Sequence, residues 1–403
     1  MKRIYLDDPY MQDFTADIRE IEEKEGLHHI RLDSTTFYPG GGGQACDTGK
    51  IKGKDAVGEV ESTYEKDGAV WHVCSVSGSF LLGETITGKI DWKRRYSLMK
   101  SHTAEHILFH SLMGVCKGIE MIKVNLVPEG SSILVRYPSN INMGLALSAE
   151  KIANNVISKN IPVTVKTFGK DNLPEGTRVK LERIHQDDVK VVQIGDFDKC
   201  ACTGLHVKNT GEISLLTITN ITNEGTNQHK ISFLVGEQAQ EYLLETKKAC
   251  DGACAILQTT SDKLEKTMTN LKEQKEKLES MVISLNDRIL DEIEPANFGE
   301  YNLYSKVFVD MDDKKLMEKA GKLIETGRTI VLFGNKKGDD AFILIAKSPD
   351  SDINIESISA KMFPLMDGKG GGKGNFLSGA GKADKLGEAF GFAEEEIVEK
   401  LVN

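Results

Sequence analysis

His102-Thr-Ala-Glu-His106 and, about a hundred residues later, Cys202-Thr-Gly-Leu-His206 are the two stretches on which the reading of this 403-residue chain turns. Residues four apart on an α-helix lie on one face, roughly 40° apart around the axis, so His102 and His106 can address a single ion. That is half a site. Cys202 and His206 would complete a tetrahedral set of one sulfur and three nitrogens. Such a set suits Zn2+, one ion per chain, because zinc is borderline-soft and has no d-electron preference for another geometry. Either pair alone is also what two unrelated surface side chains look like; the two together, with their flanks, point to a site.

Composition bounds the rest. With 39% hydrophobic and 28% charged residues the chain can bury a sizeable core, and its length predicts two or three domains. No apolar run approaches a membrane span, and the opening MKRIYLDDPYMQDF lacks the apolar stretch of a secretory signal, so a cytoplasmic protein with no membrane partner is expected. Seven cysteines, an odd number scattered over the chain, fit reduced thiols rather than a disulfide framework. The net charge of −10 argues against indiscriminate binding to nucleic acid, yet leaves room for a local basic surface.

The chain divides into four stretches. Residues 1–90 carry short alternating segments broken by glycine-rich turns, which predicts a small β-barrel-like domain. Residues 91–245 mix periodicities: a helix over 96–115 bearing the histidines, a second near 149–157, and strands at VTVKTF, VKVVQI, EISLLTITNITN and KISFLVG, hence an α+β core. Residues 250–295 place leucine at 257, 264, 271, 278 and 285, with Met268, Val282 and Ile289 at the other core position and Lys275 interrupting it. This predicts a long coiled-coil helix that Pro295 ends, pairing with a second chain or a neighbouring helix. Residues 300–403 return to a globular pattern around the lysine-bearing glycine run Asp367-GKGGGKGNFLSGAG-Lys382.

The string Thr35-Thr-Phe-Tyr38, Gly42-Gly-Gln44, Asp47-Thr-Gly49, Arg94-Arg95, HTAEHIL and CTGLHVKNTGEI resembles, in order, the editing domain of alanyl-tRNA synthetases and their AlaX relatives. With the heptads and the glycine-rich end it is similar to the long AlaX form, whose tail resembles a DHHA1 domain. The resemblance implies an α+β fold: a β-barrel-like part, a zinc-binding editing core, a coiled coil and an α/β DHHA1-like domain. It further implies a free-standing hydrolase that deacylates tRNA-Ala carrying serine or glycine. The heptads themselves read either as the seam of a homodimer or as a spacer that holds the tail domain against the tRNA. A pocket built for alanine admits smaller glycine and rejects serine poorly, so a second, hydrolytic sieve is useful. Thr203 and Leu205 depart from the family's usual C-G-G-T-H and change the polarity beside the ligands.

On this resemblance Thr35 is the residue that meets the serine hydroxyl; on its own it reads as a β-branched strand residue. Gly42 and Gly43 read either as backbone that approaches the 3′ nucleoside, anchored by Gln44, or as a mobile hairpin tip. Glu105 is a general base, a partner of a ligand histidine, or a helix-surface charge. His110, one turn on, reads as structural, and Cys200, on the same strand face as Cys202, as a weaker ligand or a neighbour of the site. Lys369, Lys373 and Lys382 are placed to follow an RNA phosphate chain, with Phe376 to stack, or else form a flexible loop; the P-loop order is absent. Two rivals remain. His102–His106 also satisfies the inverted zinc-protease motif H-x-x-E-H, with Glu182 as the later carboxylate, and a non-catalytic RNA-binding protein would use the metal purely as structure.

Overall fold

In the computed structural model, which describes residues 1–179 and 187–402, strands with period-two burial open the chain. β1 (Asp13–Lys24), β2 (Leu27–Leu32), β3 (Gly49–Lys52), β4 (Ala56–Lys66), β5 (Ala69–Gly78) and β6 (Thr85–Ile90) close into a barrel in the order β1-β2-β5-β4-β3-β6. Alternate residues such as Phe14, Ala16 and Ile18 of β1 and Ile86 and Ile90 of β6 fill it, as the pleat requires. The predicted β-barrel-like domain is present.

His72 on β5 sits fully buried in this region, its Nδ1–H donating to the Ile30 carbonyl at 2.9 Å. Burial pushes the imidazole down to about 4 from its ordinary 6.5. Between those values the unfolded chain binds a proton that the folded chain refuses, so stability present above pH 6.5 is lost as the pH falls towards 4. This one group is expected to contribute roughly 3 kcal/mol of that loss. Urea denaturation at a series of pH values should show a shallower acid slope for His72→Gln than for the wild type; identical slopes would refute the assignment.

After the barrel, α1 (Trp92–Val115) begins at Asp91, whose carboxylate accepts from Arg94 N at the N-cap. Fourteen of its residues are buried, which explains why it carries almost no amphipathic signal: it runs through the core rather than along the surface. Around it lie α2 (Met143–Ser158) and two sheets. One joins β7 (Glu120–Asn125), β8 (Ser131–Arg136), β12 (Leu216–Gly225) and β13 (Gln228–Val235) in the order β12-β13-β8-β7. The other joins β9 (Val163–Gly169), β10 (Asp188–Ile194) and β11 (Asp198–Ala201) in sequence order. The predicted helices and strands of residues 91–245 are all found, with shifted ends.

The chain separates into two compact units, Met1–Ala253 and Cys254–Asn403. The single helix expected over 250–295 is two: α3 (Gly236–Ile256) and α4 (Leu264–Asp291). Gln258 in the left-handed region (φ +48°) ends the first, and the Thr259-Thr260-Ser261 run favours local hydrogen bonding over helix, so Leu257 falls in the break. On α4 the stripe of Met268, Leu271, Leu278, Val282, Leu285 and Ile289 stays exposed.

In the second unit β14 (Ala296–Phe298), β15 (Tyr301–Val309), β16 (Thr329–Lys337), β17 (Asp340–Lys347), β18 (Lys369–Lys373) and β19 (Phe376–Lys382) form one sheet, ordered β14-β15-β16-β17-β19-β18. Helix α5 (Asp313–Ile324) packs against β16 and β17. α6 (Ile355–Leu365), which the sequence reading missed, and α7 (Leu386–Val402) lie together. The glycine run is not a loop but the β18–β19 hairpin. Its glycines have a packing reason: a Cβ on Gly370 or Gly379 would come within 2.4 or 2.5 Å of the Phe363 ring of α6. Phe376 is half-buried against the core rather than free to stack. No helix among the described residues is long and apolar enough to cross a membrane.

Candidate metal centre and its cavity

α1 carries His102 and His106 one turn apart on a buried face, and the segment that leaves β11 brings Cys202 and His206 against them. One donor atom from each of the four lies within 4.8 Å of every other, and three of the residues are buried. The Cys202 Sγ is 3.2 Å from His102 Nε2, and the His102 and His206 ring centroids are 4.4 Å apart.

Neighbours fix which nitrogen each ring presents. His102 Nδ1–H donates to Gln44 Oε1 at 2.7 Å, an oxygen that also accepts from Leu205 N at 3.1 Å. Thr103 gives its hydroxyl proton to the Met99 carbonyl and accepts from His206 Nδ1–H at 3.2 Å. Both arrangements leave Nε2 with its lone pair turned to the cluster, as a carboxylate or carbonyl behind a metal-ligating histidine does. The His206 Nε2 is buried and has no hydrogen-bond partner among the described residues, which is what a missing cation accounts for. Burial and the neighbouring His102 push the His206 imidazole down to about 3, keeping it neutral. Burial opposes a Cys202 thiolate, but His102, beside it and hydrogen-bonded to it, with His106 and His206 close by, holds the thiol well below its ordinary range. Burial opposes a charge on His106, but Asp198, Cys200, Cys202 and Glu105 push its imidazole well above the ordinary range, so a metal ion would have to displace that proton. A thiolate and imidazole nitrogens are what a metal ion needs, and the residues present fit one.

Behind His106 stands Asp198 on β11, its Oδ2 3.5 Å from His106 Nδ1. Arg178 grips the same carboxylate through Nε at 2.9 Å and Nη2 at 2.7 Å, and His110 Nδ1 lies 3.1 Å from it. Burial works against this charge, but Arg178, His106 and His110 hold Asp198 well below the usual carboxylate range. His110 lies outside the four-donor group, its ring against Asp198. Cys200 lines the cavity and lies outside the four-donor group, its Sγ 3.5 Å from the Ala201 carbonyl.

The cluster opens on a cavity of about 480 Å3 lined by His102, Glu105, His106, Cys202, Gly42 and Lys190, among others. Glu105 is no surface charge: it is 5% exposed, and burial, outweighing attraction by His106 and His102, raises its carboxyl. The Gly40–Gly43 turn is no mobile tip either. All four glycines have positive φ, Gly41 and Gln44 exchange backbone hydrogen bonds, and Leu126 N donates to Gly43 O at 2.7 Å, docking the turn on the end of β7. Thr35 sits elsewhere. It is fully buried, donates its hydroxyl proton to His72 Nε2 at 2.8 Å, accepts from Phe37 N, and is absent from the cavity lining. Glu182 lies outside the described residues, and Lys369 and Lys373 belong to the second unit.

Sequence reasoning missed Thr103, Asp198, Arg178 and Gly204. Asp198 stands two and four residues before Cys200 and Cys202, on the same strand face, and was findable by that alternation. Gly204 is required by close approach: a Cβ there would lie 2.0 Å from His102 Cε1. Gly204→Ala is expected to lower metal affinity at least a hundredfold while the barrel stays folded, read by competition with a chromophoric chelator; an unchanged affinity would contradict the geometry.

Residues 6–94 match the family model for class II (A) tRNA synthetases, and residues 189–231 match the model for the threonyl and alanyl tRNA synthetase second additional domain. The segment that carries Cys202 and His206 is therefore similar to part of that additional domain. The alanyl-tRNA editing protein AlaX-L of Pyrococcus horikoshii is 27% identical over 409 residues, covering 98% of each chain. The alanine–tRNA ligase of Methanoregula boonei is 29% identical over 417 residues, covering 99% of this chain and 44% of its own. The chain spans less than half the length of such ligases. A crystal structure of the C-Ala domain from Aquifex aeolicus alanyl-tRNA synthetase matches 26% of this chain and 99% of its own, at 25% identity and a TM-score of 0.25. Over nearly its whole length the chain is thus similar to an alanyl-tRNA editing protein of the AlaX type.

Proposed function

We propose that this chain hydrolyses the ester joining a wrong amino acid, serine or glycine, to the 3′ end of tRNA-Ala, with one Zn2+ held by His102, His106, Cys202 and His206. The observation that carries this reading is the four-donor cluster opening on a cavity that also holds a buried carboxylate, Glu105, in a chain of this similarity. Four protein donors leave no open position of the kind water activation needs, so the ion would supply a charged template, with Lewis acidity only if one donor gives way on substrate binding. The remaining work falls to the chain. Gln44 and Thr103 hold the ligand rings in one tautomer. Glu105 takes the proton from the attacking water, and the Gly42–Gly43 backbone, with no side chain in the way, lets the ribose approach.

The closed donor set by itself favours a second reading, a tRNA-binding protein whose metal is structural. Incubating purified protein, well below substrate concentration, with Ser-tRNA-Ala, Gly-tRNA-Ala and Ala-tRNA-Ala separates the two. Release of serine or glycine with alanine spared supports the deacylase; no release from any of them, with tRNA still bound, leaves the binding protein.

The second unit we read as a DHHA1-like domain that holds the body of the tRNA. Lys369 and Lys373 alternate with Gly370 and Gly372 on the exposed edge strand β18, so both ammonium groups leave the same face, with bare Gly371 between them. Exchanging both for glutamate is expected to weaken tRNA binding about tenfold at low salt and to reduce the salt slope by about one per lysine. Unaltered binding in a filter assay would remove the tail from the interface.

A further inference from the structure

The segment that brings Cys202 and His206 to α1 is fastened again just beyond them, by a carboxylate the reaction does not use. Glu212, half-buried on the 3-10 turn Thr210–Ile213, accepts from four donors. Its Oε1 takes the backbone N–H groups of Lys208 and Asn209, each at 2.9 Å. Its Oε2 takes the hydroxyl protons of Tyr10 at 2.7 Å and Tyr96 at 2.9 Å. The Tyr10 oxygen in turn accepts from Lys208 N at 2.9 Å, so that amide is held twice. The reach back to Asn209 N is what the glutamate of a capping box does, but the two tyrosines exceed what a cap requires.

What these bonds join decides their use. Thr103 Oγ1 accepts from His206 Nδ1 and from Val207 N, each at 3.2 Å, and Tyr96 lies about two turns before it on the same helix. The three amides that follow His206 are therefore tied, directly or through Glu212, to the helix that carries His102 and His106. The anchoring rings are themselves held: Trp92 stacks on Tyr96 with centroids 5.2 Å apart, and Tyr10 lies 5.5 Å from Trp92. Lys100 Nζ stands 4.3 Å from the Tyr96 ring centroid and Lys208 Nζ 4.3 Å from that of Tyr10, two cations flanking the carboxylate. Burial opposes the charge on Glu212, but its hydrogen bonds from Tyr10, Tyr96 and the two amides hold it below the ordinary carboxylate range. It is an ionised acceptor with all four donors in place.

Resting on the metal centre of the deacylase reading, we propose that Glu212 is a positioning residue for it: by stapling residues 208 and 209 to Tyr10 and to α1, it fixes where His206 meets the other three donors. Gln44 holds this segment at Leu205, Thr103 at Val207 and Glu212 at its end. Donors held in place before an ion arrives bind it more tightly, because ordering them no longer opposes binding. Without Glu212 the His206 ring would keep its bond to Thr103 but lose the rigid backbone behind it.

The test uses the full chain with Co2+ as the probe, its affinity read by competition with a chromophoric chelator and its ligand geometry by visible absorption. Glu212→Gln keeps the side chain's length but sets an NH2 group against two of the four donors. It is expected to lower Co2+ affinity about tenfold and to alter the ligand-field bands while the Cys202 thiolate band remains. Tyr96→Phe keeps the ring and its stack, loses one bond to Glu212, and should lower affinity about threefold; it carries the test alone if Glu212→Gln fails to fold. Asn142→Ala removes the N-cap of α2, outside the site, and sets the purely structural case: a lower urea midpoint with affinity and spectrum unchanged. Wild-type affinity and spectrum in the folded Glu212 and Tyr96 variants would overturn the proposal, whatever their stability. Release of serine from Ser-tRNA-Ala on the same preparations keeps the two readings apart. Weakened Co2+ binding in the variants, with no release by the wild type, keeps the positioning role and removes the deacylase; release by the wild type, with Co2+ binding intact in the variants, removes the positioning role alone. A wild-type protein that takes up no Co2+ removes both.

Discussion

Replacing Cys202 with alanine is expected to abolish ester hydrolysis and to lower metal affinity by several orders of magnitude, with the barrel and the second unit still folded. The thiolate is the one soft, negatively charged donor among the four, and it lies 3.2 Å from His102 Nε2. Removing it leaves three imidazoles crowded together, with the His206 Nε2 still buried and unpartnered. Such a set binds zinc less tightly and no longer offsets the ion's charge. Glu105→Gln separates site assembly from chemistry. It should keep the metal, measured by elemental analysis, and slow hydrolysis by two to four orders of magnitude, the usual worth of a positioned proton acceptor. Full activity of Cys202→Ala in chelator-treated protein would sink the metal mechanism; wild-type rates in Glu105→Gln would remove the carboxylate from it.

Asp47→Ala should be the most destabilising single change outside the apolar core. Asp47 and Arg95 are both fully buried. The guanidinium meets both carboxylate oxygens, donates through Nη1 to the Pro9 carbonyl at 2.8 Å and through Nη2 to the Thr36 carbonyl. Asp47 Oδ2 also accepts from Tyr38 N at 2.7 Å, and Asp47 N returns a bond to the Tyr38 carbonyl. Alanine would strand a charge in the interior at a cost of about 3–5 kcal/mol. The loss reaches the site because the turn carrying Gln44 is strung between Tyr38 and Asp47, and Gln44 orients His102. The double change Asp47→Leu, Arg95→Met should recover most of the stability, since neither charge is then left alone. A loss below about 1 kcal/mol for Asp47→Ala by urea denaturation would show that the pair contributes little.

Both predictions join residues the sequence displays to contacts it does not. The ligand quartet could be read from spacing, because two residues four apart on a helix must share a face and a cysteine and histidine bracketing a short loop can meet it. Barrel strands and most of the two sheets follow from periodicity, which records the face each residue turns to the core. Thr35 could not be read that way. A hydroxyl's partner is set by what packs opposite it, here His72 from another strand. Glu105 was hidden for the reverse reason: a carboxylate on a helix is usually solvated, and only a helix buried on all sides removes that option. The break at Gln258 escaped because heptad spacing is insensitive to one residue's φ.

What the sequence determined by itself was the donor set, the alternation that builds the barrel and the order of motifs that carries the family resemblance, all local in chain position or periodic. What only the tertiary structure decided was orientation. Gln44 and Thr103 select the ligand nitrogens, Gly204 lets the second ligand segment reach His102, and Asp198 with Arg178 backs His106. Those contacts join residues from 20 to more than 100 positions apart. Their partners are chosen by close packing and by the cost of leaving a buried polar group unmatched, which no spacing rule along a single chain records.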